Sequence, residues 1–260
     1  MSLAPLRRAA RVAPLAPDLV GRALLGRVAR KIAGKSIDTA TGPGINTRAS
    51  IDSDPRATVG ALLPHVTVDH LDAYEREYQE IDQDIIARAG SRELPMPSLW
   101  RTERQTGLTL YTLVRAIQPE IVVETGIANG WSSVIFLRAL EKNGKGQLHS
   151  FDVRDDVGKL VDPGERDRWT LHILNPATLQ EFDKTLAGLP PIGLFFHDSD
   201  HSYLHMRLEL RMAGKRLAAD GALCSDDVSL SHAYIEACEE FGLKPRLLVD
   251  QHKASGFAVR

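Results

Sequence analysis

Carboxylates and histidines are concentrated in two short stretches in the last quarter of the chain. One is HDSDHSY at residues 197–203, and the other is SDDV at residues 225–228. Each follows an apolar run, the pattern of a buried parallel strand that continues into a loop. Carboxylates gathered at one point repel one another unless a positive charge offsets them, and all-oxygen ligands favour Mg²⁺, Ca²⁺ or Mn²⁺ over zinc. The two stretches therefore indicate a site for a hard divalent cation. The alternative is that Asp226 caps a following helix.

A third stretch, IVVETGIANG at residues 121–130, has the features of a cofactor loop. Gly126 and Gly130 lie between a predicted strand and a predicted helix. Gly126 lets the chain turn tightly, and Gly130 lets the backbone approach a ligand at the helix start, where N–H groups are unpaired. Asp152 ends the next predicted strand, where a carboxylate can accept hydrogen bonds from both hydroxyls of a ribose. The G-x-G-x-x-G pattern of dinucleotide-binding proteins is missing, which disfavours a nicotinamide oxidoreductase.

An α/β sheet is predicted to position these three stretches. From Glu120 onward, apolar runs alternate with helical patterns, which indicates βαβ units and a parallel sheet. The predicted strands are residues 121–124, 147–153, 170–174, 192–197, 222–225, 244–250 and 256–260. The last two are separated by too short a turn for a crossover helix, so they should form an antiparallel hairpin. Ligands of open α/β sheets bind just beyond the carboxyl ends of the strands, which is where all three stretches lie.

The N-terminal part of the chain differs from the rest. Residues 1–65 are interpreted as a basic, partly irregular extension, 66–105 as a helical cap or lid, and 106–260 as the catalytic domain. Within the extension, residues 18–33 are predicted to form an amphipathic helix capped by Asp18, and residues 41–56 to be irregular. This helix is expected to pack on its own domain or on a second subunit rather than on a membrane surface. Helices are also predicted at residues 68–89 and 107–117. The loop between them, residues 91–102, is interpreted as a lid whose Trp100 and Arg101 are expected to touch a bound ligand.

Composition places the chain among ordinary globular proteins. It has 260 residues, 43% of them hydrophobic and 25% charged. Eight basic residues against one acid give residues 1–35 a net charge of +7, which leaves −9 for the rest of a chain whose total is −2. That total gives no reason to expect a nucleic-acid partner. Both cysteines, Cys224 and Cys238, are expected to be buried thiols, and no apolar stretch is long enough to span a bilayer. A cytoplasmic protein is expected.

The strand, the E-x-G-x-x-x-G loop, the following helix and the strand ending in aspartate together resemble the class I S-adenosylmethionine (SAM)-dependent methyltransferases. The resemblance covers about residues 100–260. It implies a Rossmann-like sheet of seven strands with an antiparallel last hairpin, a glycine loop at the methionine end of SAM, and a strand-end acid at the ribose. The cofactor-binding residues expected on this basis are Glu124, Gly126, Gly130, Ser132, Asp152 and Asp198.

The two acidic stretches resemble the metal-dependent O-methyltransferases, especially the branch that acts on natural-product sugars and its cephalosporin-hydroxylase-like relatives. The resemblance implies that Asp198, Asp226 and Asp227 are the metal ligands. It also implies that His201 is the general base, with Asp200 as the alternative. Ser199 replaces the usual glycine, and LAADG at residues 217–221 replaces L-x-P-G-G, but the carboxylates are intact. Magnesium would lower the pKa of a bound hydroxyl, and the imidazole would take its proton.

The sequence thus predicts a SAM- and Mg²⁺-dependent O-methyltransferase acting on a hydroxyl of a small molecule such as a sugar, polyketide or phenol. A homo-oligomer is expected by analogy with the sugar branch. Two alternatives stay open. One is a metal-independent or N-directed methyltransferase whose acids are structural. The other is a catalytically silent relative that binds SAM or a partner.

Overall fold

The computed structural model describes residues 10–21, 49–175 and 179–260. Their centre is one sheet of eight strands in the order β1-β7-β8-β6-β5-β2-β3-β4. The strands are β1 (Ser50–Asp52), β2 (Ile121–Thr125), β3 (Gln147–Asp152), β4 (Trp169–Ile173), β5 (Ile192–His197), β6 (Leu217–Ser225), β7 (Arg246–Val249) and β8 (Ala254–Val259). Only β8 runs antiparallel to its neighbours, β6 and β7. The predicted α/β sheet with a terminal antiparallel hairpin is confirmed.

Helices cover both faces of the sheet. They are α1 (Pro55–Leu62), α2 (Val68–Ser91), α3 (Arg104–Ile117), α4 (Trp131–Asn143), α5 (Gln180–Ala187), α6 (Tyr203–Gly214) and α7 (Ala233–Glu240), with a short 3₁₀ helix at Pro163–Arg168. Helices α2 to α4 pack on one face around Val122, Leu194 and Phe196. Helices α5 to α7 pack on the other face around Val123 and Phe195. This alternation places successive residues of each strand in opposite cores, as expected for a sheet buried on both sides.

Within the predicted extension, residues 50–52 differ from the sequence prediction. Residues 50–52 were expected to be irregular, but they form β1, which pairs in parallel with β7 and makes eight strands rather than seven. Asp52 receives two hydrogen bonds from the guanidinium of Arg246, at 2.7 and 2.8 Å, which join the edge strand to its neighbour. The sheet therefore begins before residue 65.

The N-terminal segment packs on the chain's own domain. Val12, Ala16 and Leu19 are buried in the core shared with α5 to α7. The helix predicted at residues 18–33 begins at residue 17, so Asp18 lies within it and does not cap it. Most of that helix, and residues 41–48 of the predicted irregular segment, fall outside the described residues. Among the described residues, no helix is long and apolar enough to cross a membrane.

Candidate active site

Strand register brings the predicted chemical residues to one edge of the sheet. Thr125 at the end of β2 is paired with Phe151 of β3 and with His197 of β5, and His197 is paired with Ser225 of β6. The next residue along each strand or loop is Gly126, Asp152, Asp198 and Asp226, respectively. Because these strands are parallel, their carboxyl ends meet, as the sequence predicted.

A cavity of about 570 Å³ opens along this edge. It spans the ends of β4, β3, β2, β5 and β6, so a ligand in it would contact all three sequence stretches. The predicted site residues that line it are Gly126, Asp152, Asp198, Asp200, His201 and Asp227. The predicted residues that do not line it are Glu124, Gly130, Ser132 and Asp226. Its volume is typical of small-molecule sites.

No residue with a side chain fits at Gly126 in the loop between β2 and α4. Its φ is +79°, and a Cβ there would lie 2.1 Å from the carbonyl oxygen of Asp198. The loop after β2 therefore passes directly over the loop after β5, and only glycine permits that approach. Gly130, with φ +95°, precedes α4, and a Cβ there would lie 2.9 Å from Cα of Gly158. Gly130 thus shapes the loop through backbone packing, not by lining the cavity.

Glu124 and Ser132 support the loop from beneath rather than contact the cavity. Glu124 is fully buried and accepts hydrogen bonds from the hydroxyls of Ser132, Ser133 and Ser150, at 2.5–2.7 Å. Burial raises the pKa of Glu124, and the three hydroxyls oppose that shift. Their hydrogen bonds join β2, β3 and the start of α4, and the expected role of these two residues in cofactor binding stays a prediction.

Asp152 is oriented by the backbone around it. One carboxylate oxygen accepts from Ile127 N–H at 2.9 Å, and the other accepts from the N–H groups of Val153 and Arg154, at 2.7 and 3.0 Å. These bonds aim the carboxylate into the cavity beside the glycine loop. Beyond it, near the end of β4, the cavity is lined by Leu174, Asn175 and Leu179. A carboxylate followed by two leucines and an amide could contact a ribose and then an adenine.

The opposite end of the cavity holds His201 between two carboxylates. His201 Nε2 lies 3.5 Å from Asp198 Oδ1 and 3.6 Å from Asp227 Oδ2. Its Nδ1 is buried and accepts or donates no hydrogen bond among the described residues. Although burial opposes it, the two carboxylates raise the pKa of His201. Burial and the nearby charge of Asp226 raise the pKa of Asp198 to about 7. The imidazole is placed to take a proton, because both carboxylates stabilise its charged form.

Lys253, from the turn between β7 and β8, lies at the centre of the acidic cluster. Its ammonium donates to Asp226 Oδ2 at 2.7 Å and lies 3.7 Å from Asp227 Oδ2. The other oxygen of Asp226 accepts from the Ser255 hydroxyl at 2.8 Å. Although burial opposes it, Asp226 and Asp198 raise the pKa of Lys253, which keeps it charged. Asp226 does not cap a helix, since α7 begins at Ala233.

The predicted metal ligands therefore fit a divalent cation poorly in this arrangement. Within the described ranges, no three carboxylate, histidine or cysteine side chains are grouped as a metal site. Both oxygens of Asp226 already accept hydrogen bonds, one of them from an ammonium. At an effective dielectric constant near 20, the Lys253 ammonium and a monovalent cation about 4 Å away would repel each other by about 4 kcal/mol. A divalent cation would double that repulsion. An ion on Asp226 would have to displace Lys253.

Sequence reasoning missed a buried network behind the site. Glu209 of α6 accepts hydrogen bonds from Thr125, His197 and Ser199, and it pairs with His205 at 2.9 Å. Despite the cost of burial, the two histidines hold the pKa of Glu209 well below its usual value. His205 lines the cavity. The four-residue spacing of His205 and Glu209, which puts them on one helix face, was the available signal.

The predicted lid at residues 91–102 lies against the cofactor loop. Asn129 exchanges two hydrogen bonds with the backbone of Met96, at 3.2 and 3.0 Å. Met96 and Trp100 line the cavity, whereas the Arg101 guanidinium lies over the Trp131 ring at 5.7 Å. Trp100 is thus placed to touch a ligand, while Arg101 is engaged with α4. Arg11 of the N-terminal segment also reaches the cavity.

Comparison with known proteins relates this chain to methyltransferases. Residues 123–228 match the model of a domain family described as a methyltransferase domain. No curated protein matches the sequence. A methyltransferase from Geobacter sulfurreducens is similar in structure, with a TM-score of 0.50 and 21% identity over 78% of this chain and 93% of the other. The O-methyltransferase TomG from Streptomyces achromogenes, involved in tomaymycin synthesis and solved with SAM, has a TM-score of 0.50 and 17% identity. The alignment with TomG covers 78% of this chain and 94% of that one.

The matched segment runs from β2 to the loop after β6, and so contains the glycine loop, Asp152 and the acidic stretches. At these identities the structural neighbours bear on the fold alone. Residues 123–228 are thus similar to a methyltransferase domain, and the chain shares its fold with the two methyltransferases named above.

Proposed function

We propose that the protein transfers the methyl group of SAM to a hydroxyl of a small molecule, with His201 as the general base. The observation that carries this proposal is the position of the imidazole. It lines the same cavity as Gly126 and Asp152, and it lies between Asp198 and Asp227. Asp152, Leu174 and Leu179 suit SAM at the end of β3 and β4, which leaves the end of β5 and β6 for the acceptor.

The reaction is a direct displacement. The acceptor oxygen attacks the methyl carbon, an O–C bond forms, and the C–S bond breaks with its electron pair going to sulfur. The hydroxyl proton passes to His201. Glycine-loop packing and Asp152 hold the cofactor, and positioning of the two reactants supplies much of the rate. The carboxylates beside His201 stabilise the imidazolium that forms. Asp200, which also lines the cavity, is the alternative base.

The sequence also predicts that the reaction depends on magnesium. In a magnesium-dependent enzyme, Asp198, Asp226 and Asp227 would hold the ion, and the ion would acidify the acceptor hydroxyl. It requires Lys253 to leave Asp226, which their 2.7 Å contact disfavours. The proposed mechanism therefore rests on the chain's own side chains. A homo-oligomeric assembly and a cytoplasmic location stay predictions from the sequence.

Methyl transfer by purified protein tests this proposal. The full chain is incubated with SAM and a panel of phenols, sugars and amines, S-adenosylhomocysteine is quantified, and products are identified by mass spectrometry. We expect O-methylated products, a loss of at least about 100-fold in kcat for His201→Asn, and an unchanged Kd for SAM. The matched control, His65→Asn, changes an exposed histidine and should behave as wild type.

Other outcomes support the alternatives. Methylation of amines alone would favour an N-directed enzyme. SAM binding without transfer to any member of the panel would favour a catalytically silent relative. Full activity in His201→Asn would remove the proposed base.

A further inference from the structure

Lys253 is held in place by the start of α3. The Asp250 carboxylate, at the beginning of the hairpin turn, accepts from the N–H groups of Gln105 and Thr106, at 2.7 and 3.0 Å. The turn is closed by a hydrogen bond from Asp250 N–H to the carbonyl of Lys253. On the other side of the turn, His252 N–H donates to Glu103. The backbone that carries Lys253 is therefore fixed at both ends.

The side chain of Lys253 is also enclosed. Only 18% of it is exposed, compared with 2% of its partner Asp226. Ser255 donates to Asp226 and lies 3.0 Å from the hydroxyl of Thr106, so the carboxylate that receives the ammonium is itself anchored to α3. A surface lysine in a loose ion pair has none of these features.

The ammonium and the proposed base face the same point. Asp227 Oδ2 lies 3.6 Å from His201 Nε2 and 3.7 Å from Lys253 Nζ. Both side chains line the cavity, as does Asp227. An oxygen bound beside Asp227 is within reach of a proton acceptor and of a fixed positive charge together.

We infer that Lys253 is the resident cation of this site, and that its ammonium stabilises the acceptor oxygen in place of a divalent metal ion. This role rests on the proposed function, in which Lys253 is the electrostatic catalyst of methyl transfer. The hydroxyl proton goes to His201, the O–C bond forms as the C–S bond breaks, and Lys253 keeps all its protons. It donates one hydrogen bond to the oxygen as negative charge develops there.

The charges of the cluster favour one monovalent cation. With a neutral side chain at residue 253, Asp226 and Asp227 would lose the positive charge that opposes a dication beside them. With the ammonium in place, a dication must share Asp226 with a positive charge that the hairpin holds there. Removing the charge at residue 253 should therefore create a metal site that the natural chain lacks.

Binding of Mn²⁺, followed by electron paramagnetic resonance of the free ion, tests this inference without turnover. The full chain is compared with Lys253→Met, which keeps the length of the side chain, and Lys253→Arg, which keeps its charge. Lys244→Met is the matched control, since Lys244 is exposed in the loop just before the same hairpin. We expect Lys253→Met to bind Mn²⁺ at least about tenfold more tightly than wild type, Lys253→Arg and Lys244→Met. The gain should be lost in the double variant with Asp226→Asn.

Tight Mn²⁺ binding by the wild type, or no gain in Lys253→Met, would overturn the inference. Titration of SAM into the same samples separates this result from the proposed function. Wild type that binds SAM but also binds Mn²⁺ tightly would leave the methyltransferase proposal standing and remove the role of Lys253. Unchanged SAM affinity in Lys253→Met would also show that the variant folds. Activity of the wild type should be unaffected by EDTA.

Discussion

At the scale of single residues, Asp152 is expected to supply much of the affinity for SAM. Three backbone N–H groups aim its carboxylate into the cavity, and its position at the end of β3 matches that of a ribose-binding acid. A charged carboxylate that accepts from two hydroxyls contributes about 2 kcal/mol or more. Sequence alone placed Asp152 at the end of a strand, because a strand ending in aspartate after a glycine loop is a local pattern. Its contact with ribose stays a prediction.

Asp152→Asn should therefore weaken SAM binding about 30-fold, since asparagine loses the charge and one acceptor oxygen. Isothermal titration of SAM into the variant measures this change. Asp155→Asn, three residues along and exposed, is the matched control and should leave the affinity unchanged. Equal SAM affinity in the wild type and Asp152→Asn would contradict the assigned ribose contact.

The ion pair of Glu209 and His205 should make the free energy of unfolding depend on pH. Its pKa is lowered well below 4.5, so its stabilising effect is present above that pH and is lost as pH falls through the lowered value. The pKa of His205 is raised above 6.5, so its contribution is present below 6.5 and is lost as pH rises through the raised value. The pair therefore stabilises the fold most between the two ordinary values, 4.5 and 6.5.

Glu209→Gln is expected to lower the free energy of unfolding by about 3 kcal/mol in that window. The difference from wild type should shrink below pH 4.5 and also as His205 deprotonates at higher pH. Urea denaturation at a series of pH values measures it. A difference that does not vary with pH would show that the network acts through packing rather than charge.

At the scale of elements, the loop between β2 and α4 depends on close backbone packing. Gly126→Ala would place a methyl group 2.1 Å from the Asp198 carbonyl oxygen in a left-handed conformation. The loop after β2 or the loop after β5 must then move. Both loops form the cavity, so SAM binding should fall below detection by calorimetry.

Gly60→Ala in α1 is the matched control for this loop variant. A Cβ at Gly60 meets no atom within 4 Å, and alanine is the better helix former. The control should bind SAM normally and be as stable as wild type or slightly more so by thermal denaturation. Normal SAM binding in Gly126→Ala would show that the cavity tolerates a shifted loop.

Strands β2, β5 and β6 were predictable because each is an apolar run followed by glycine or a carboxylate. Strand β1 was not, since its three residues include one apolar side chain, Ile51, which is 48% exposed. Its strand conformation depends on β7, almost two hundred residues away. Lys253 was also missed, because a lysine in a hairpin turn is ordinary until the fold shows that the turn lies beside Asp226.

At the scale of the whole molecule, the N-terminal residues complete the sheet. Asp52 accepts two hydrogen bonds from Arg246 and one from the Thr58 hydroxyl, so it joins β1, α1 and β7. This edge lies at the far side of β7 and β8 from the cofactor loop. Its contribution should be to stability and not to SAM binding.

Asp52→Asn should lower the free energy of unfolding by about 1–2 kcal/mol, because the partly buried Arg246 loses its charged partner. Chemical denaturation measures this change, and calorimetry should give an unchanged Kd for SAM. Asp220→Asn, at an exposed position, is the control and should alter neither quantity. A loss of SAM affinity in Asp52→Asn would show that the edge strand is coupled to the cofactor site.

The central claim is that the cavity at the carboxyl edge of the sheet binds SAM. Isothermal titration of SAM into the full wild-type chain tests it most directly, since neither an acceptor nor a metal ion is needed. The structure leads us to expect one SAM per chain with a Kd in the micromolar range. Absence of binding by folded protein would contradict the account.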